Sequence, residues 1–287
     1  MESRVYYGEY SLKHWINLLL KRNIVLPNYQ RSFVWDEKDI KRLIKSLGEG
    51  QFVQPITIAN YNCEERGQNL LLDGQQRLTS ILLSYLGYIP DKDKFSSVDE
   101  LASSDDSDEG DEHTTKIIGW TFEEMLEDNV SNNNIDAIKN RITRTGKYKE
   151  LKISSITNKE DFFEKTFLGF SYIIPARTDK NETQKFFSTL FRNMNYLGLK
   201  LSPLESRRSL YYLNAELEKY FDGQTSEGKD VLCEIKMYEK MQLRKIDIVR
   251  YMSILSQYVA NNKDVRKVLV GYSAYSSREN YYADYVS

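Results

Sequence analysis

Asn69-Leu70-Leu71-Leu72-Asp73-Gly74-Gln75-Gln76-Arg77-Leu78-Thr79-Ser80-Ile81 is the stretch on which the fold turns. Asn69 to Leu72 reads as a short strand, and Leu78, Ile81, Leu82, Tyr85 and Leu86 then recur at helical spacing until Gly87 and Pro90 end the pattern. A strand that enters a helix through Asp-Gly is a cradle for phosphate. Gly74 lets the chain turn tightly, with no Cβ between a ligand and the main chain. The first N–H groups of the helix have no acceptor within it, and the helix dipole favours an anion there. Arg77 adds a planar cationic fork suited to phosphate oxygens. Gln75 or Gln76 can orient a water, and Asp73 can hold Mg²⁺ directly or through water. The same residues also fit a simple aspartate helix cap followed by polar surface side chains.

Upstream, Val53 to Ala59 reads as a second strand, separated from the first by the polar turn Asn62 to Gln68. Before it, a helix begins near Asp36 with Ile40, Leu43, Ile44 and Leu47 on one face and stops at Gly48-Glu49-Gly50. Tyr10 to Lys21 forms another helix, with Ser11 as its N-cap. Between these helices lies Pro27-Asn28-Tyr29-Gln30-Arg31-Ser32-Phe33-Val34-Trp35, where polar, basic and aromatic residues alternate in a loop. Tyr29, Phe33 or Trp35 can stack on a base and Arg31 can grip phosphate. For Phe33 and Trp35 the better reading is that they anchor the loop in the core; for Gln30 and Arg31 it is function.

Downstream, Lys92 to Thr115 is poor in apolar residues and reads as a mobile acidic insertion. Periodicity returns at Trp120, Phe122, Met125 and Leu126, and Gly169 to Pro175 reads as a third strand. A helix follows from about Glu182 to Met194, carrying Phe186, Phe187, Leu190 and Phe191, and Ser202-Pro203-Leu204-Glu205 starts another. The remainder to Val270 reads as mainly helical, with a tyrosine- and serine-rich tail that composition assigns to disorder.

The bulk numbers exclude several classes. The 287 residues are 40% hydrophobic and 29% charged, a globular composition long enough for one large or two smaller cores. No apolar run approaches the ~20 residues of a membrane helix, and the first residues carry no secretory signal core. Cys63 and Cys233 lack metal-ligand spacing and read as reduced thiols of a cytoplasmic protein. With only His14 and His113, the chain cannot assemble an HNH nuclease or a histidine-based zinc site at normal spacing. From Asp91 to Asp136 there are 15 acids and 3 bases, a balance of -12 that leaves +10 on the rest of a chain whose total is -2. A basic remainder is compatible with a polyanionic partner, and equally with an ordinary mixed-charge surface.

Leu26-Pro27-Asn28-Tyr29-Gln30-Arg31-Ser32-Phe33-Val34-Trp35, then Gln54-Pro55-Ile56, then Leu71-Leu72-Asp73-Gly74-Gln75-Gln76-Arg77-Leu78-Thr79-Ser80 closely resembles the signature of the GmrSD-type restriction endonuclease N-terminal family. A later family block is matched from Phe191 to Glu205, in the right order. The resemblance implies an α+β fold: a ParB/sulfiredoxin-like small mixed sheet with flanking helices, followed by a mostly helical region. In this division residues 1–90 form the nucleotide-binding core, 91–116 the acidic insertion, 117–200 a continuation with one strand and helices, 201–270 a helical region and 271–287 the tail.

What the resemblance implies for chemistry is an NTPase, cleaving the β–γ phosphoanhydride of a nucleoside triphosphate with Mg²⁺. Asp73, Gln75, Gln76 and Arg77 take the catalytic positions. Gly74, Tyr29, Gln30, Arg31, Arg192 and Asn195 line the nucleotide site, and Asp73 is the metal ligand. Such a module works against modified foreign DNA with a separate HNH-type nuclease partner. The alternative is a non-hydrolysing nucleotide- or DNA-binding switch. One departure stands out: where the family block carries arginine two residues before its asparagine, this chain has Asn193, and Arg192 sits one place earlier. A helix turns about 100° per residue, so the departure bears on hydrolysis more than on binding.

Overall fold

The computed structural model describes residues 3–26, 33–61, 68–95, 118, 120–176, 186–187, 190, 232–237, 242–273, 280–282 and 284–285. These fall into two compact units, one made of the described residues up to 176 and the other of those from 186 onward. The first unit is α+β. In chain order it runs β1 (Arg4–Ser11), α1 (Leu12–Leu20), β2 (Ile24–Val25), α2 (Glu37–Gly48), β3 (Ile56–Tyr61), β4 (Gln68–Asp73) and α3 (Gln75–Leu86). It continues with β5 (Tyr88–Pro90), α4 (Ile135–Thr145), β6 (Tyr148–Glu150), α5 (Lys159–Lys165) and β7 (Phe167–Ile174).

Five strands form one mixed sheet in the order β1-β7-β3-β4-β2. β1 and β7 pair antiparallel, β7 and β3 parallel, β3 and β4 antiparallel, and β4 and β2 parallel. The strand expected near Ile173 is thus threaded between the N-terminal strand and β3. β1 itself escaped the sequence reading, which began a helix at Tyr10. Arg4 to Glu9 are all exposed, so no alternation marks the strand. The helix starts only at Leu12, where the Ser11 side chain accepts the His14 N–H, as a serine N-cap should.

The core lies between the sheet and its helices. Leu12, Trp15, Ile16 and Leu19 of α1, Ile40 and Ile44 of α2, and Ile56, Ile58 and Leu71 of the sheet are all buried in it. α2 has the expected apolar face and a capping box, Asp36 accepting from the Asp39 N–H and Asp39 accepting from the Asp36 N–H. α3 is buried on every side except at Gln76, which makes it the central helix. Gly87, at φ +82°, ends it as expected, but Pro90 lies in a short strand paired with β6.

The start of the expected acidic insertion is packed against the unit. Lys92–Lys94 form a 3₁₀ turn, Asp91 N–H bonds the Lys147 carbonyl at 2.9 Å, and Lys94 Nζ bonds that of Gly146 at 2.7 Å. Residues 96–117 lie outside the described set, so the insertion itself is not seen. Trp120, Phe122 and Met125 are buried as their periodicity demands, the last two in a 3₁₀ turn, Phe122–Met125.

The second unit is mainly helical among its described residues, and adds one element to the expected stretch 201–270: an antiparallel hairpin, β8 (Leu232–Met237) with β9 (Gln242–Asp247), before α6 (Ile248–Ala260) and α7 (Val265–Ser273). Apolar and polar residues alternate only from Cys233 to Met237, while Leu243 and Ile246 of β9 stand three apart, so the hairpin carries little period-two signal in the sequence. The tail is not uniformly disordered either: residues 280–282 and 284–285 are helical, Tyr282 is fully buried, and Tyr281 Oη donates to the Val268 carbonyl at 3.2 Å. Buried tyrosine supplies the anchor that its serine neighbours disguise.

Three helices of the first unit are tied by one polar knot. Tyr85 of α3 donates to Glu160 Oε1 of α5 at 2.6 Å, while Lys13 of α1 donates to Glu160 Oε2 at 2.9 Å and to the Tyr85 hydroxyl. Burial, then the bond to Glu160, push the Tyr85 hydroxyl above its ordinary pKa of 10.0. Burial opposes the Lys13 charge, but its bonds to Tyr85 and Glu160 outweigh this and raise it above 10.5. Both groups have raised folded-state values, so their contribution is complete below about pH 10 and is lost as the pH climbs through those values. Tyr85→Phe is expected to cost about 1 kcal/mol at pH 8 and to flatten the decline of stability above pH 10. Urea unfolding from pH 8 to 11 checks this; an unchanged alkaline limb would remove Tyr85 from the linkage.

Candidate functional site

β4 delivers Asp73 to the site through an irregularity in the sheet. Thr57 stands opposite Asp73, but its neighbour Ile58 stands opposite Leu71, so β4 carries one extra residue, Leu72. Without this bulge, Asp73 would stand opposite Ile56, which is completely buried in the core. A bulge re-aims a side chain in this way, and such irregularities gather at functional positions. Asp73 keeps 34% of its side chain exposed.

Gly74 follows at φ +99° and ψ 15°, a conformation that any Cβ disfavours. A Cβ built on it would lie 2.4 Å from Ile56 Cδ1 and 3.2 Å from Arg77 Nη2. The reason for glycine is therefore double: the turn's hand, and the close seating of the turn on β3 and on Arg77. Gly74 is also the N-cap of α3 and supplies no side-chain cap. The alternative of an aspartate helix cap fails here, because Asp73 makes an ion pair with Arg77 instead. Nor are the following residues surface polar groups, for Gln75 is 7% and Arg77 9% exposed.

Arg77 folds back over the turn. Its Nη1 donates to the Gln54 carbonyl at 2.9 Å and its Nη2 to Asp73 Oδ2. The guanidinium thus joins the end of β4 to the segment before β3, the same Gln54-Pro55-Ile56 that the sequence comparison singled out. Gln76 reaches the other way: its Oε1 accepts the N–H groups of Val34 at 3.0 Å and Trp35 at 3.4 Å. Lys92 Nζ donates to the Val34 carbonyl at 3.1 Å. It also lies near Asp36, whose carboxyl is held below its ordinary range by the backbone N–H groups of Asp39 and Lys38, with a smaller contribution from the Lys38 and Lys92 charges. Lys92 was hidden as one of three bases in the acidic stretch, and no spacing pointed to it.

Those contacts bring the two sequence motifs together. Leu26 N–H bonds Glu123 Oε1 at 3.0 Å, Phe33 N–H bonds the Trp120 carbonyl at 2.8 Å, and the Phe33 ring packs edge-on against Trp120. Phe33 is 1% exposed and Trp35 half-buried against the core, as the anchoring reading expects. Leu26 and Phe33, which flank positions 27–32, are therefore both tied to the fold, and Val34 and Trp35 are bonded to α3 by Gln76. Tyr29, Gln30 and Arg31 themselves lie outside the described residues, as do Arg192 and Asn195.

The profile of the GmrSD restriction endonuclease N-terminal domain matches residues 15–212, more than half of the chain. The chain belongs to this family. The matched region of this GmrSD N-terminal domain includes the Asp73–Arg77 turn, both anchors of the 27–32 segment and all but the first strand of the five-stranded sheet. It stops before the β8–β9 hairpin. The chain is also 25% identical, over 245 aligned residues, to "Uncharacterized protein MJ0686" of Methanocaldococcus jannaschii, an alignment covering 66% of this chain and 39% of that protein. No solved structure matches.

Among the described residues of the GmrSD domain, no three His, Cys, Asp or Glu side chains come together as a metal site. Magnesium is ordinarily held by one or two carboxylates together with phosphate oxygens and waters. Asp73, a single partly exposed carboxylate, is a donor of the type such an ion takes. Among the described residues, no helix is long and apolar enough to cross a membrane.

Proposed function

We propose that this GmrSD N-terminal domain binds and hydrolyses a nucleoside triphosphate, and that it regulates a restriction system acting on modified foreign DNA. The observation that carries the reading is the glycine at the N-cap of α3, Gly74, which brings no capping side chain, with buried Gln75 and Arg77 around it and the second motif tied to it through Gln76. The N–H groups at the start of α3 and the Arg77 fork would receive phosphate oxygens. Asp73 would meet the Mg²⁺ that travels with them, and the ion would offset the charge of the terminal phosphates. Gln75 or Gln76 would orient the attacking water, and the Gln76 carbonyl oxygen also holds the Val34–Trp35 backbone. DNA cleavage falls to an HNH-type nuclease outside these residues, since His14 and His113 cannot build such a centre.

A second reading has one observation in its favour. Arg77 and Gln76 both spend side-chain bonds within the fold, on Asp73, Gln54 and the Val34–Trp35 backbone. A nucleotide that drew Arg77 away would shift the segment beside it, and binding alone would then signal to a partner.

The experiment is phosphate release from each of the four common triphosphates with Mg²⁺, with and without DNA. Asp73→Asn is the control of choice, because it keeps the shape of the side chain and an acceptor for Arg77. Turnover that falls about a hundredfold in Asp73→Asn would establish an NTPase at this turn. Stoichiometric binding without release would establish the switch. Neither binding nor release would refute both readings.

A further inference from the structure

One turn beyond the Gly74 corner, α3 carries two hydroxyls that nothing in the fold uses. Thr79 and Ser80 are both 0% exposed, and neither Thr79 Oγ1 nor Ser80 Oγ has a hydrogen-bond partner. Ser84, on the same helix, shows the ordinary solution, donating to the Ser80 carbonyl four residues back at 2.6 Å. Buried hydroxyls are nearly always paired, and an unpaired one destabilises the fold that contains it. Two consecutive exceptions in the central helix call for a function.

Their place on the helix says which. At about 100° per residue, Thr79 sits about 40° around the axis from Gln75, and Ser80 the same angle from Gln76. Helical side chains lean back toward the N-terminus, so both hydroxyls lean toward the first turn of α3. They share the flank from which Gln76 holds the backbone of Val34 and Trp35.

We infer that Thr79 and Ser80 form a subsite for the nucleoside half of the nucleotide, donating to or accepting from its sugar hydroxyls or base edge while the phosphates occupy the Gly74 turn. The inference rests on the nucleotide reading above and adds what it lacks, a place for the part of the ligand that is not phosphate. Both hydroxyls are covered in this structure, so the ligand reaches them only as the packing around α3 opens. A phosphate chain alone reaches the turn and not the subsite.

Calorimetry on the full chain, with ATP, GTP, CTP and UTP and with inorganic triphosphate as the phosphate-only probe, tests this for wild type, Thr79→Val and Ser80→Ala. Thermal unfolding without ligand is measured alongside. The ligand-free variants should melt at or above the wild-type temperature, because no bond within the fold is lost. Each should bind its preferred nucleoside triphosphate about fivefold more weakly and bind inorganic triphosphate as the wild type does. Unchanged nucleotide affinity in both variants would overturn the subsite while leaving the nucleotide reading intact. So would a lower ligand-free melting temperature in both, since the hydroxyls would then have partners in the fold. Equal weakening toward inorganic triphosphate would place them at the phosphates and refute the nucleoside assignment. Failure of the wild type to bind any nucleotide would refute the subsite together with the reading beneath it.

Discussion

Arg77→Ala is expected to lower folding stability by about 3 kcal/mol in the absence of any nucleotide, the lower end of the range for breaking a buried ion pair. The side chain is 11% exposed, while its partner Asp73 is 34% exposed, so water reaches the carboxylate left behind and tempers the loss. The bond to the Gln54 carbonyl is lost as well, and with it the tie between the β4 turn and the segment leading into β3. Arg77→Lys should recover only part of this, because an ammonium cannot span Gln54 and Asp73 as a planar fork does. Urea unfolding of the three proteins measures the effect. An alanine variant as stable as wild type would mean that the pair contributes nothing net to the turn. The result also governs how nucleotide affinities are read: a weakened Arg77→Ala reports on the site only if the variant is still folded at the temperature of the titration.

This double employment of Arg77 explains what could be read from the chain and what could not. The Asp-Gly-Gln-Gln-Arg stretch, the helix beginning at Gln75 and the apolar face of α2 follow from local spacing and turn chemistry, and all are present. Phosphate binding was inferred from residue types alone, and residue types do not reveal that Arg77 turns back on Asp73 or that Gln76 holds Val34. Those contacts join positions 42 residues apart in one case and depend on where the sheet places the turn. β1 was missed for a related reason. Its outer residues are exposed, so its identity comes from pairing with β7 more than 150 residues away and not from any pattern of its own. Thr79 and Ser80 lay in plain view within the motif, yet only the packed helix shows that they are buried without partners.

The same dependence on tertiary placement makes Gly74 separable into two causes. Gly74→Ala is expected to destabilise by about 2–5 kcal/mol, from a positive φ that costs an L-residue roughly 1–2 and overpacking that costs roughly 1–3. The overpacking has a single identifiable source, since the new Cβ would stand 2.4 Å from Ile56 Cδ1 and the other neighbours are arginine atoms at 3.2 and 3.4 Å. Ile56→Val removes that Cδ1 and by itself costs about 0.5–1.5 kcal/mol. In the Ile56→Val background, Gly74→Ala should therefore cost only the backbone strain, and the double mutant should be more stable than additivity predicts by about 1–3 kcal/mol. Strict additivity would mean that the turn moves away from β3 at little cost, and that the glycine is required for its φ alone. A large positive coupling would show that the turn is pressed onto Ile56. The corner that presents the α3 amides would then be fixed by the sheet beneath it, with nucleotide binding at the turn left to move Arg77 and the Val34–Trp35 segment.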